Sequence, residues 1–370
     1  MSKDSTPTTP SPDQAQQIFR HDYQDNKPDP EPLRKINSPP PWRQFGKKDD
    51  KDNKNEPFQK RNMDPEQERR GRFHQIDETT ARLINVSLIL RRPMLVSGHA
   101  GTGKSSLAYA IAWQLGLGNV LRWPITSRST LKEALYSYDA IARLQDAALR
   151  QNGVQQTIDP HEIGRYITLG PLGTALLPNR QGPYQPRVLL IDEIDKSDID
   201  LPNDLLHVFE EGFFEIPEIA RVHTSKDYIK IQTSTKNIDE PPEVPANGLI
   251  KCDDFPIVIL TTNGERDFSP AFRRRCIEIT ICGPDKAKLE RIIHSQLESN
   301  ASSDDKTSKL LDEFYKRITE NHSQLAIDQL LNGIYLSRSN IDVDPTKHKA
   351  ILEAVFRSLT EAGSPPTEPS

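Results

Sequence analysis

Three short, unbroken apolar runs punctuate the middle of the chain: Met94–Val96, Val188–Ile191 and Ile257–Leu260. Runs of this length without alternation are what a strand buried on both faces of a parallel sheet requires. Each run gives way to small or polar residues: Gly98 beyond the first, Asp192 and Glu193 after the second, and Thr261, Thr262 and Asn263 after the third. Behind the first run, Leu107, Ala108, Ile111, Ala112 and Leu115 recur at helical spacing. The stretch "VLRWPITSRSTLKEALYSYDAIARLQDAAL" predicts another strand and then a long helix starting near Ser129, whose hydroxyl suits an N-cap. On such a helix Tyr136 and Tyr138 point to different faces, so at most one belongs to a core. Alternation near Tyr228 to Ile231 predicts a hairpin. Farther on, Leu289, Ile292, Ile293 and Leu297 share one helical face, and amphipathic stretches follow at 307–320, 324–337 and 346–360.

The opening of the chain has no such pattern. Proline crowds "STPTTPSP", "KPDPEP" and "SPPPW", and "GKKDDKDNKNE" is almost all charge. A segment this poor in aliphatic residues cannot bury enough surface to offset chain entropy, so residues 1–72 are expected to be disordered. The remaining chain divides into an α/β core over 73–283, a helical unit over 284–362 and a disordered tail over 363–370. "PPPWRQF" at Pro39 to Phe45 mixes extended proline backbone with aromatics, suiting either a docking motif or a linker.

Charge and composition narrow the classes. A formal net charge of −5 argues against a broad nucleic-acid surface. Three cysteines, Cys252, Cys276 and Cys282, have neither metal-ligand nor disulfide-framework spacing, and with no long apolar run the expected home is the cytoplasm, without a membrane.

The chemistry sits at the ends of the apolar runs. Gly98, His99, Ala100, Gly101, Thr102, Gly103, Lys104 and Ser105 spell G-x-x-x-x-G-K-S, followed by Ser106 and the helical pattern. Glycines let the backbone curl so that amide N–H groups converge on phosphate oxygens, and the helix N-terminus adds partial positive charge. Lys104 is placed to reach the β- and γ-phosphates, and Ser105 to ligate Mg2+. Asp192, at the tip of a buried strand, is the second candidate for the metal, and Glu193 the candidate to orient and polarise the attacking water. Asn263 can contact both the γ-phosphate and that water. "NKPD" at Asn26 to Asp29 matches a guanine-reading string, but it precedes the first strand and has no scaffold to hold it.

Taken together, "GHAGTGKS", "LLIDEIDK", "LPNDLLHVFEEG", "ILTTNGE" and "PAFRRRC" resemble, in order, the motifs of AAA+ ATPases over residues from about 73 to 340. The stretch "GRYITLGPLGTALL" resembles the helix-2 insert of the MoxR-like branch, about 162–182 here. The resemblance implies a P-loop NTPase fold with a parallel five-stranded sheet and a small helical lid. It also implies a homo-oligomeric ring, usually a hexamer, that hydrolyses ATP with Mg2+ and remodels a protein client. In that branch the partner is often a separate von Willebrand factor A-type protein. It implies an arginine finger reaching a neighbour's γ-phosphate, for which Arg275 matches best, with Arg274 beside it, while Arg273 suits a local carboxylate. The lid's usual sensor arginine is missing: Asp328 stands at its position, and Arg338 lies farther on. Two other readings stay open, a nucleic-acid-associated NTPase motor of restriction type and a slow nucleotide switch gating an effector. Arg122 and Arg128, in "RWPITSR", read as solvated edge charges rather than as contacts to a substrate strand.

Overall fold

The computed structural model describes residues 17–23, 27–36, 39–45, 57–59, 61–99, 101–151, 160–179, 184–222, 227–234, 241–283, 286, 289–290, 293, 305–319 and 327–338. Its frame is a five-stranded parallel sheet. The strands are β1 (Met94–Ser97), β2 (Leu121–Pro124), β3 (Val188–Asp192), β4 (Ile257–Thr262) and β5 (Ile277–Thr280), in the spatial order β5-β1-β4-β3-β2. The three apolar runs are the central strands β1, β3 and β4, and every residue of β3 and β4 is buried, as covering both faces demands. Registers of Leu95 with Leu260, and of Leu260 with Ile191, bring the carboxyl ends of these three strands level with one another.

Helix α3 (Ser106–Gln114) lies buried on one face, with every residue from Leu107 to Gln114 hidden. It is covered in turn by α1 (Pro65–Arg72) and flanked by α2 (Glu78–Leu90). A Cβ on Gly71 would collide with the backbone carbonyl of Tyr109, so the close approach of α1 to α3 requires glycine there. The other face carries α4 (Leu131–Leu135), α6 (Pro171–Ala175) and α7 (Leu201–Glu211), while α5 (Ala140–Gln151) lies outside them against Pro160–Tyr166. Farther along, Leu289, Ile293, Leu310, Leu311, Phe314, Leu330 and Ile334 form a separate small core around α8 (Asp305–Thr319) and α9 (Ile327–Arg338). The 346–360 and 363–370 stretches, and Ile292 and Leu297, lie outside the described residues.

Residues of the 1–72 segment that are described lie against the core: Ile18, Phe19, Leu33, Ile36 and Phe45 are all buried. Its composition indeed supplies no core of its own; it supplies single apolar residues to a neighbouring one. Asn85 on α2 accepts from the amides of Ile18 and Phe19 and donates to the Phe19 carbonyl, which satisfies backbone groups there. Gln59 and Gln185 exchange paired bonds, and Arg61 donates to the Pro186 carbonyl. Its described residues lie as a strap against the core.

Thr130, not Ser129, caps α4, through a capping box with Glu133. The expected long helix is broken after Leu135 by a strand, Tyr136–Tyr138, before α5 begins. In that strand the two tyrosines share a face, and Tyr136 is buried while Tyr138 packs beside the same core. Finally, Tyr228–Lys230 pairs antiparallel with Glu243–Pro245, while Gln232–Thr233 runs parallel to the insert strand Ile167–Leu169. The alternation there thus serves two different pairings instead of one tight hairpin.

Candidate active site

At the end of β1 the chain turns through Gly98, Gly101 and Gly103, all with positive φ. A Cβ on Gly98 would meet the Ile281 carbonyl at 2.5 Å, and one on Gly103 would meet the His74 ring at 2.8 Å. Gly98 is required on both conformational and steric grounds, Gly103 by its positive φ. Lys104, 7% exposed, donates to the carbonyls of Gly98 (2.7 Å) and His99 (2.8 Å) and to Oδ1 of Asn263 (2.7 Å). Burial pushes this ammonium below its ordinary pKa, and Asp195, Glu193 and Asp192 pull the other way. Thr102 closes the loop by donating to the His99 carbonyl at 2.9 Å. Ala100 is outside the described residues.

Asp192 is the hub. Its Oδ1 accepts from Ser105 (2.6 Å) and Thr261 (2.8 Å), and its Oδ2 accepts from Nη2 (2.7 Å) and Nε (3.1 Å) of Arg122. Burial alone would raise this carboxyl, but the bonds from Ser105, Arg122 and Thr261 prevail and hold it below its usual value. Arg122, read from the sequence as a solvated edge charge, is therefore the counter-ion of the central carboxylate; the adjacency of β2 and β3 puts it there. Glu193 follows in the left-handed region (φ 63), a costly setting for a non-glycine residue, with its amide bonded to Thr261 and its carboxylate to Lys196 at 2.7 Å. Asn263 is oriented from behind, because Asp195 Oδ2 accepts from the amides of Asn263 (2.9 Å) and Glu265 (3.2 Å). Asp195 is 6% exposed. The repeated acid in "DEID" was its only trace in the sequence.

Lys104, Ser105, Asp192, Glu193 and Asn263 thus meet at the carboxyl ends of β1, β3 and β4. Ser106 opens α3 immediately behind them. Ser105 and Asp192 offer hard oxygen donors in contact, which suits Mg2+ completed by substrate phosphates and water better than an all-protein cage. The described residues contain no cluster of three or more His, Cys, Asp or Glu able to hold a metal. Burial pushes the thiols of Cys252 and Cys276 up to about 12, so neither is poised as a nucleophile.

The arginine triplet is elsewhere. Ser269 caps the short helix Pro270–Arg273, and Arg273 makes a twin bond to Glu278, both at 2.8 Å, as expected of it. Arg274 donates to the Pro270 carbonyl at 3.3 Å, and Arg275 is ion-paired with Glu210 at the end of α7. Arg275 precedes β5, whose partner β1 leads into the glycine loop only at its far end. Four strand residues, roughly 13 Å, separate the two edges of the sheet. Asp328 and Arg338 lie on α9.

A family profile described as "ATPase family associated with various cellular activities (AAA)" matches residues 94–284. No curated protein matches the chain. Among solved structures, it is similar to a chain of the E. coli MS115-1 HORMA:CdnC:Trip13 complex, with 17% identity over 82% of this chain and 94% of that one, at a TM-score of 0.36. It is also similar to the FIGL-1 AAA domain in complex with ADP, with 16% identity over 75% and 73% of the two chains and a TM-score of 0.31. Among the described residues no helix is long and apolar enough to cross a membrane.

Proposed function

Because the chain belongs to the AAA family of ATPases, we propose that it hydrolyses ATP with Mg2+ between copies of itself and spends the energy remodelling a protein partner. The observation carrying the chemistry is the convergence at the strand ends of two hydrogen-bonded groups, Lys104 with Asn263, and Ser105 and Thr261 with Asp192. Amides of the loop from Gly98 to Gly103, with Lys104 and Ser106, bind the phosphates. Ser105 and Asp192 hold the metal, which supplies charge neutralisation on the phosphoryl oxygens. Glu193, released from Lys196, accepts the proton of the attacking water, and Asn263 aligns that water against the terminal phosphate. Arg275, with Arg274 beside it, is placed at the far edge of the sheet from its own glycine loop and so serves a neighbour's phosphate, neutralising charge as it develops.

The finer likeness is to the MoxR-like branch, with a hexameric ring and a separate von Willebrand factor A-type partner. Its support is the "GPLG" turn, where Gly170 and Gly173 let α6 press on the carbonyls of Glu133, Ala134 and Leu135. The test is Glu193→Gln. The variant is expected to bind ATP as the parent does, to lose about 100-fold or more in turnover, and to retain a protein client in its ATP-bound state. Undiminished turnover would remove Glu193 from the mechanism; DNA-stimulated hydrolysis by the parent would favour a nucleic-acid motor instead.

A further inference from the structure

The "PPPWRQF" stretch finds its place at the edge of the sheet that carries the arginine triplet. Phe45 is buried and stacks on Phe255 at 5.0 Å between centroids, and a Cβ on Gly212 would strike its ring. Arg43 donates to the Phe209 carbonyl at 2.7 Å, and its guanidinium lies 5.2 Å from the Phe255 ring centre. Arg92, two residues before β1, donates to the Arg274 carbonyl at 3.0 Å. Around these groups opens a cavity of about 310 Å3 lined by Trp42, Arg43, Arg92, Phe209, Glu210, Glu211 and Arg275. Three guanidiniums and two carboxylates face it, and Trp42 is 74% exposed at its rim.

This is an expensive arrangement for a surface with nothing to bind. Burial and the charge of Arg92 hold the Arg43 guanidinium below its ordinary pKa, Glu210 pulls the other way, and Arg275 adds to the repulsion. Glu210, which pairs with Arg275, is half exposed, and such a pair is held by little. An incoming anion with several oxygens satisfies the cluster better than Glu210 does, because guanidinium forks match phosphate geometry. The cavity cannot serve this chain's own nucleotide, since it opens at the strand-start edge and the glycine loop lies at the other.

We propose that Arg43, carried in by the N-terminal strap, joins Arg275 as a second trans-acting guanidinium on the triphosphate bound by a neighbouring copy, with Trp42 covered by that neighbour. The proposal rests on the reading above that Arg275 acts across an interface. It makes the strap part of the reaction centre, so hydrolysis requires a docked strap as well as an assembled ring.

The experiment uses the full chain with Arg43→Ala and, because that change also removes a packing contact, Arg43→Gln, which keeps a donor for the Phe209 carbonyl. Both are expected to assemble and to bind ATP as the parent does, with turnover lowered about tenfold or more. Each is then mixed with Lys104→Ala protein, whose own cradle is disabled but whose strap is intact. A subunit lacking Arg43 keeps its own cradle, so a neighbour's Arg43 restores its turnover. A defect in the fold of the Arg43 variant itself is not repaired this way. Arg275→Ala is mixed with Lys104→Ala in parallel. Restoration for both variants supports the proposal. Restoration for Arg275→Ala alone overturns it and leaves the interface reading intact, while failure of both, in rings shown to contain both proteins, overturns both. Separately, ATP-driven assembly should shift Trp42 emission to the blue, a change missing from Trp42→Phe; no such difference would contradict burial of Trp42 by a neighbour.

Discussion

At the scale of single residues, the site is organised around one carboxylate. Asp192 has both oxygens occupied, by Ser105 and Thr261 on one side and Arg122 on the other. Removing Arg122 leaves a buried acceptor short of its charged partner, a loss of about 1–3 kcal/mol. Arg122→Ala should therefore unfold at lower denaturant without nucleotide, and the deficit should shrink when Mg2+ and ATP supply new charge at Asp192. Equal deficits in both conditions would show that Arg122 matters only for packing. The pH dependence has a definite sign. The folded carboxyl titrates below its ordinary value, so its pairing contributes fully above about pH 4. That contribution disappears as pH falls through the lower, folded value, and Arg122→Ala should weaken this acid-side loss. The glycine loop was legible residue by residue because its spacing encodes local backbone geometry. Arg122 was not, since its role depends on which strand lies next to β3.

Elements tell the same story at longer range. The buried strands announced themselves as unbroken apolar runs, and the small helical core beyond residue 284 as amphipathic periodicity. The break after Leu135 was hidden by helix-compatible flanks, although Thr130 and Glu133, spaced as a capping box, were a readable signal for the true start of α4. The buried contacts of Ile18, Phe19, Leu33, Ile36 and Phe45 had no sequence signal, because they are isolated apolar residues in a polar, proline-rich chain. Neither helical nor strand periodicity joins them; only the surface they dock on does. Phe45→Ala should accordingly cost about 3 kcal/mol, measured by denaturant unfolding, despite its place in a segment whose composition predicts disorder. Gly71→Ala, small and helix-favouring by propensity, should instead destabilise by about 1–3 kcal/mol, because its methyl group meets the Tyr109 carbonyl. A neutral or stabilising effect would mean that α1 can move off α3.

For the whole molecule, the two chemically loaded edges of the sheet are complementary. One offers a phosphate cradle and a carboxylate hub, the other a cavity ringed with guanidinium groups around Arg275. A single copy cannot bring its own edges together; the proposed ring would place each against the next. The arginines of the triplet are paired differently: Arg273 is matched by Glu278 with a twin bond, Arg275 by one bond to Glu210. The second pairing is the one that exchange for a phosphate can break. Turnover per subunit should therefore rise with protein concentration through the assembly range.

The most direct measurement mixes Arg275→Ala protein with Lys104→Ala protein, each inactive alone, and follows phosphate release. The account predicts that activity returns in proportion to mixed interfaces, where an intact cradle faces an intact Arg275. Joint rings that release no more phosphate than the separate variants would contradict it.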